Sequence, residues 1–414
     1  MKIGMIMQAV PYLPATDGYR VYTANILRRL SRRHTIDLIA VGDGVNREPL
    51  EWAREHCASV TLVEPETRNA FTRAISLLGM GFGISARGRG PVRALFDRLT
   101  TPLPWDVIHV EGSYVAGTLP FGLPGPAILS LHDSGLLRGR ALIRCAASWR
   151  DWAFYRALEL FQARYERLVY RRFDRCVVVS EADRCAVCAT CPECNVSTIN
   201  IGIDTEYYRS TDLLKRPASM VFHGNLSYPP NIEAAEELAR KILPLVRRDA
   251  PNAVLHLAGA AAGREVYALA AEPGVELQRD LPDIRTVLDH SVVYACPLRN
   301  GTGVKNKVLE AMAMGLPVVC YRAALEGLEP ECAERAIAAY EPSDFAAIVV
   351  SLLRNPEAAW RMGAAARESV VANYDWELRA QAFERLYQEA IRDWRRALPF
   401  AQDALFRSGA GGLL

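Results

Sequence analysis

Lysine is nearly missing from this sequence. The 414 residues include five, Lys2, Lys215, Lys241, Lys305 and Lys307, against 44 arginines. Positive charge is therefore written almost throughout as a planar guanidinium rather than a compact ammonium. Long apolar runs are also scarce. The opening MKIGMIMQAVPYL is apolar for only about eight residues before prolines interrupt it, far short of the roughly 20 that a spanning helix needs, and it has no small-residue cleavage site. The expectation is a cytoplasmic protein. Charge imbalance is absent too: a net +2 with half the residues apolar excludes a disordered chain, an acidic tail and a nucleic-acid-binding stripe. The first strand runs into QAVPYLPATDG rather than G-x-G-x-x-G, and no acidic residue closes the second, which argues against a dinucleotide oxidoreductase.

Ten cysteines without a secretion signal read as thiols rather than a disulfide framework. Within RCAVCATCPECN, Cys185, Cys188, Cys191 and Cys194 recur at every third residue. Four thiolates so spaced suit zinc or an iron–sulfur cluster. The same spacing drifts slowly around a helix, placing four small buried side chains on one face. Structural thiols are the expectation, because four ligands in ten residues need a turn and Pro192 alone offers one.

Length favours two domains. In the first half, KIGMIMQA, TIDLIAV, DVIHVEG, AILSLHDSG and RCVVVSEAD are short, nearly continuous apolar runs, as strands covered on both faces require. Between the first two lies GYRVYTANILRRLSRR, whose Val21, Ala24, Ile26, Leu27 and Leu30 recur at helical spacing. The rhythm pauses near residues 201–219 and restarts with SMVFHGN, a helix NIEAAEELARKILPLVRR, AVLHLAG, VVYACPL and LPVVC. From EPSDF onward the chain reads as helical. Strands alternating with helices imply two α/β domains with parallel sheets, spanning 1–205 and 216–375, with a final helix over 376–400 returning to the first. Ligands are then expected beyond the carboxyl ends of the strands.

The two clustered lysines fall in RNGTGVKNKVLEAMAMGLPVVC, Arg299 to Cys320. Gly301 and Gly303 clear the approach to a helix N-terminus, where backbone N–H groups and the dipole favour an anion. Lys305 and Lys307 add whole charges where the dipole alone already places about +0.5, a conflict that a bound polyanion resolves. Glu310, about one turn on, is in reach of a sugar hydroxyl attached to a phosphate. The bland alternative is a solvated helix whose lysines cluster by chance.

This run resembles the donor-binding signature of the retaining GT-B glycosyltransferases known as glycosyl transferases group 1, or family 4. In matching order stand Asp17 and Gly18 after the first strand, LHD after a later one, VVVSEAD before the linker, FHGNLSYPPNIEA opening the second domain and NYDWE before the last helix. The resemblance covers essentially the whole chain. It implies two Rossmann-like domains facing across a cleft, with a nucleotide-diphosphate sugar held by the C-terminal domain and the acceptor by the N-terminal one. It also implies transfer with retention, with no metal and no cofactor. Donor contacts would come from Gly301, Thr302, Gly303, Lys305, Asn306, Lys307 and Glu310, with Asn225 and Asn231. His132 and Asp133 would join Lys305 and Glu310 in catalysis, His132 beside the transferred sugar, and Gly18 would keep the first loop near the diphosphate.

The sequence departs from the family pattern at three positions. Thr302 stands where many members have a second glutamate, and Asn225 and Asn231 where many have an arginine and a lysine. Those departures keep open a non-catalytic nucleotide-sugar-binding subunit, and an epimerase on the same architecture is the other alternative. His109, His223 and His256 are read as satisfied core histidines within strands; Glu111, after DVIHV, is read as structural, with contact to the acceptor or sugar as the alternative. The stretches 149–173 and 71–93 interleave apolar residues with arginine; the expectation is a core-packing helix with a solvated arginine face, the alternative a weak peripheral contact with anionic lipid. The acceptor, whether a sugar, a lipid-linked or a small molecule, carries no recognisable code.

Overall fold

The computed structural model describes residues 1–15, 17–42, 47–64, 89–98, 104–132, 134–144, 148–211, 216–299 and 304–409. Two compact units divide it, one of Met1–Ile201 with Trp376–Leu414, the other Gly202–Asp375.

Seven parallel strands form the sheet of the first unit: β1 (Lys2–Met7), β2 (Thr35–Val41), β3 (Ser59–Val63), β4 (Val107–Glu111), β5 (Ala127–Leu131), β6 (Arg175–Val178) and β7 (Val196–Thr198). Their order is β3-β2-β1-β4-β5-β6-β7, so the winding reverses between β1 and β4. Successive side chains of a strand point to opposite faces, which separates Ile3, Met5 and Met7 on one side of β1 from Ile6 on the other. Covering both faces is what makes these strands continuously apolar.

The layer over Ile3 and Met5 is completed from the far end of the chain. Within the helix Trp376–Gly409, Trp376, Ala380, Phe383, Tyr387 and Ala390 join that core. Their alternating spacing of four and three residues draws one stripe along the helix. The opposite layer receives Tyr165, Val169 and Tyr170 from the helix Trp149–Tyr170, which Ser148 caps through the Asp151 N–H at 3.1 Å.

In the second unit six parallel strands, β8 (Ser219–His223), β9 (Val254–Gly259), β10 (Val275–Arg279), β11 (Val293–Cys296), β12 (Val318–Tyr321) and β13 (Ile337–Ala339), take the order β10-β9-β8-β11-β12-β13. Here the reversal lies between β8 and β11. The unit's two ends meet where the Ile203 N–H donates to the Tyr374 carbonyl at 2.7 Å. The helix expected over NIEAAEELARKILPLVRR is broken by a π-helical turn at Leu238–Ile242. Pro244 explains it, since proline has no N–H to donate and its ring crowds the carbonyl four residues back.

The cysteine expectation needs correction. Cys191 and Cys194 are disulfide-bonded across a Cα separation of 5.5 Å, because the turn at Pro192 folds one back on the other. Nor do the four share a buried face: Cys191 is buried, Cys188 half-buried and Cys185 exposed. No helix among the described residues is long and apolar enough to cross a membrane.

Candidate active site

In open parallel sheets the place for a ligand is beyond the strand ends where the winding reverses. Both units put polar clusters there, and each is described within its own unit.

In the second unit, β8 ends at His223 and β11 leads to the helix Asn306–Ala313. Gly224 and Gly259 follow β8 and end β9 in close contact. A Cβ on Gly259 would lie 1.8 Å from the Gly224 carbonyl oxygen, and one on Gly224 would lie 2.7 Å from Lys307 Nζ. Only glycine fits either position, and the gap lets the Lys307 ammonium come down onto the loop. That ammonium donates to Asn231 Oδ1 and sits 4.8 Å from the centroid of the Phe222 ring, close enough for a cation–π contact. Asn231 Nδ2 in turn donates to the Asn225 carbonyl at 2.7 Å. The Asn225 side chain accepts from the Ser227 N–H and hydroxyl at 2.9 and 2.7 Å. The two asparagines therefore build the loop and hold Lys307.

Lys305 is the cap residue of the Asn306–Ala313 helix and only 8% exposed. Burial pushes the pKa of both ammonium groups below the ordinary lysine value; for Lys307 the nearby Cys296 and Glu310 partly offset it. Glu310, one turn into the helix, accepts from His223 Nε2 at 2.7 Å, and its charge reaches Tyr208, whose own pKa is raised by burial and by the glutamate. His223, expected to be a satisfied core residue, is thus tied to the candidate glutamate, while its Nδ1 has no hydrogen-bond partner among the described residues. Gly301, Thr302 and Gly303 lie outside the described residues; Asn306 opens the helix.

In the first unit, His109 and Glu111 stand two apart on β4 and so share a face. Glu111 Oε2 accepts from His109 Nε2 at 2.8 Å, and His109 Nδ1 lies 2.5 Å from the Tyr387 hydroxyl. Glu111 Oε1 lies 2.9 Å from His132 Nε2 at the end of β5. The His132 ring is bracketed by Tyr19 and Tyr22, with centroids at 4.9 and 4.7 Å. Glu111 is 1% exposed; burial would raise its pKa, but hydrogen bonds and charge from His109 and His132 win and hold it at about 2. Asp133 lies outside the described residues. Gly18 opens the first helix under the Asp17 cap, and a Cβ there would meet nothing within 4 Å, so local crowding does not require glycine.

Sequence reasoning missed Tyr208, His223 and Tyr387 as members of these clusters. Tyr387→Phe isolates His109 Nδ1 inside the protein and is expected to cost about 1–3 kcal/mol, readable as a lower urea midpoint with an unchanged m-value.

Comparisons with known proteins follow the same division. Residues 16–207 match the family model Glycosyltransferase Family 4, and residues 217–355 match the model Glycosyl transferases group 1. An uncharacterized 44.6 kDa protein of the cps region of Klebsiella pneumoniae is 22% identical over 94% of this chain and 99% of that protein. Glycogen synthase of Mycobacterium tuberculosis is 29% identical over 51% of this chain and 53% of its own length. Among solved structures, a sucrose-phosphate synthase from Thermosynechococcus elongatus superimposes with a TM-score of 0.65 at 16% identity, covering 95% of this chain and 100% of that one. HepE from Anabaena in complex with UDP does so at 0.61 and 14% identity, covering 94% and 100%. With both halves matched in order and each a doubly wound parallel sheet, the chain belongs to the group 1, family 4 glycosyltransferases and has their GT-B fold of two Rossmann-like units.

Proposed function

We propose that this glycosyltransferase takes its sugar from a nucleotide-diphosphate sugar bound at the second unit and transfers it with retention of anomeric configuration, without a metal in the chemistry. The observation that carries the reading is the pair of partly desolvated ammonium groups, the buried Lys305 and the half-buried Lys307, at the start of the Asn306–Ala313 helix. Two desolvated cations beside a positive helix end are unfavourable alone and favourable with a diphosphate between them. UDP and UDP-glucose in the HepE structures support a nucleoside diphosphate as that anion.

As the anomeric C–O bond breaks, charge grows on the departing diphosphate, and fixed cations and backbone N–H groups stabilise it most there. The acceptor hydroxyl bonds to the anomeric carbon on the face the diphosphate leaves. Its proton passes to the diphosphate oxygen, so the products are a glycoside and a nucleoside diphosphate. Glu310, steadied by His223 and Tyr208, is assigned to the donor sugar's hydroxyls. In the first unit, His132, held by Glu111, Tyr19 and Tyr22, is assigned to a hydroxyl of the sugar.

The test is to incubate wild type and Lys305→Ala with a panel of nucleotide sugars and candidate acceptors, following nucleoside diphosphate release. Turnover by wild type that the variant loses is the expected result, with the α or β configuration of the donor kept in the product by NMR. Binding without turnover by wild type would instead make the chain a non-catalytic subunit, and inverted product would overturn retention.

A further inference from the structure

The stretch 149–173 does not follow its expectation. Most of 71–93 lies outside the described residues, but the Trp149–Tyr170 helix is described throughout. Its inner side is occupied: Gly135 and Gly139 of the preceding helix lie under Gln162, Glu166 and Glu159, and Tyr165 donates to the Ser113 carbonyl at 2.6 Å. Its outer side is not a plain arginine face. Trp149, Trp152, Phe154, Leu160 and Phe161 are 76, 51, 57, 65 and 43% exposed. Five of the fourteen large exposed apolar side chains among the described residues thus fall within thirteen residues, too dense to be ordinary surface scatter.

Arginine dominates the charge on the same arc. Arg150, Arg156, Arg164 and Arg167 are exposed between the apolar residues; Arg156 pairs with the buried Glu159 and Arg167 with the exposed Glu193 at 3.4 Å, while Glu166 is buried and Asp151 is half-buried in the first turn. Arg150 lies 5.6 Å from the Trp149 ring centroid. From Gly135 to Arg172 the chain carries nine arginines against Asp151, Glu159 and Glu166. Exposed tryptophan and phenylalanine interleaved with arginine suit the boundary between acyl chains and headgroups, where rings dip and guanidinium groups stay with phosphate. A second copy is a poor occupant, since a two-fold contact would set arginines against arginines.

We propose that the outer face of the Trp149–Tyr170 helix docks on the headgroup layer of an anionic phospholipid bilayer, lying in the interface rather than crossing it. This goes beyond sugar transfer and stands whatever the donor.

The experiment is co-sedimentation of the full chain with vesicles of phosphatidylcholine alone and with equal parts of phosphatidylglycerol, at low and high salt, with tryptophan emission read in parallel. Wild type is expected to partition at least about tenfold more onto the anionic vesicles, with a blue-shifted emission, and to come off as salt rises. Arg150→Glu with Arg164→Glu, and separately Trp149→Ser with Phe161→Ser, are each expected to reduce that partition at least about tenfold. Trp360→Ser, at a 67% exposed tryptophan of the other unit, is expected to leave it unchanged. Equal retention on both vesicle types, retention on neither, or wild-type retention by the charge-reversed variant would overturn the proposal. So would a dimer in sedimentation velocity that Phe161→Ser abolishes, which would give the face to a second copy.

Discussion

Lys307→Met is expected to lower kcat/KM for sugar transfer by about 10²–10³-fold, the usual loss when one fixed donor to a developing anion is removed. Methionine keeps an apolar stem over Phe222 and removes the ammonium that now reaches Asn231, so the loop should survive and the charge should not. Both lysines carry pKa values lowered by burial, which fixes the direction of a companion measurement. With the folded value below the unfolded one, the unfolded chain binds the proton more tightly, so the ligand-free protein gains stability as pH rises through that window. A diphosphate reverses the preference by favouring the charged lysines. UDP binding should therefore take up protons at alkaline pH, where its own phosphates are already fully ionised, and weaken as pH rises. Calorimetry in buffers of different ionisation enthalpy reads that uptake, and Lys307→Met should diminish it. Wild-type turnover in Lys307→Met would mean that the ammonium serves only to hold the loop.

How far the fold could be read follows from where each strand sits. The nine runs recognised as strands correspond to β1, β2, β4, β5, β6, β8, β9, β11 and β12, all interior to the two sheets. The four that went unread, β3, β7, β10 and β13, are the four sheet edges. An interior strand is covered on both faces and must be apolar at nearly every residue. An edge strand is half-wetted: β7 has no fully buried residue, and β10 reads VELQR with one. Such segments lack the signal that the interior strands carry.

The candidate site divides in a similar way. Lys305, Lys307 and Glu310 were legible because scarce lysine and a glycine-led helix start leave a local mark in sequence. His109 and Glu111 read separately as structural residues of a strand; that they form one cluster is not legible in sequence, because their partner Tyr387 lies 278 residues from His109 and looks like any core tyrosine of an amphipathic helix. Tyr208 and His223 likewise acquire meaning only when the fold brings them to Glu310. Asn225 and Asn231, weighed as weak substitutes for charged donor ligands, spend their polar atoms on Ser227, on each other and on Lys307.

Glu111→Ala is expected to destabilise the first unit by about 3–5 kcal/mol, because it leaves the fully buried His109 and the half-buried His132 without the anion that pairs them. The carboxylate is buried, and desolvation alone would favour its neutral form; the hydrogen bonds and charge of His109 and His132 outweigh that and hold it near 2 against an ordinary 4.5. A depressed folded value stabilises fully above the unfolded one and is lost as pH falls through the folded one. The advantage of wild type over Glu111→Gln in urea unfolding should accordingly be largest above pH 4.5 and shrink towards pH 2. Glutamine can still accept from one histidine while donating its N–H₂ towards the other, so one imidazole must change tautomer or turn away. If His132 is the residue that turns, Glu111→Gln loses kcat in sugar transfer with a shifted pH profile, although Glu111 itself touches no substrate. A stability difference that stayed flat from pH 5 to pH 2 would mean that folding leaves the carboxylate's pKa at its ordinary 4.5, and one that fell as pH rose through 4.5 would mean that the carboxylate stays protonated in the folded protein; either would make the charge assigned to this cluster wrong.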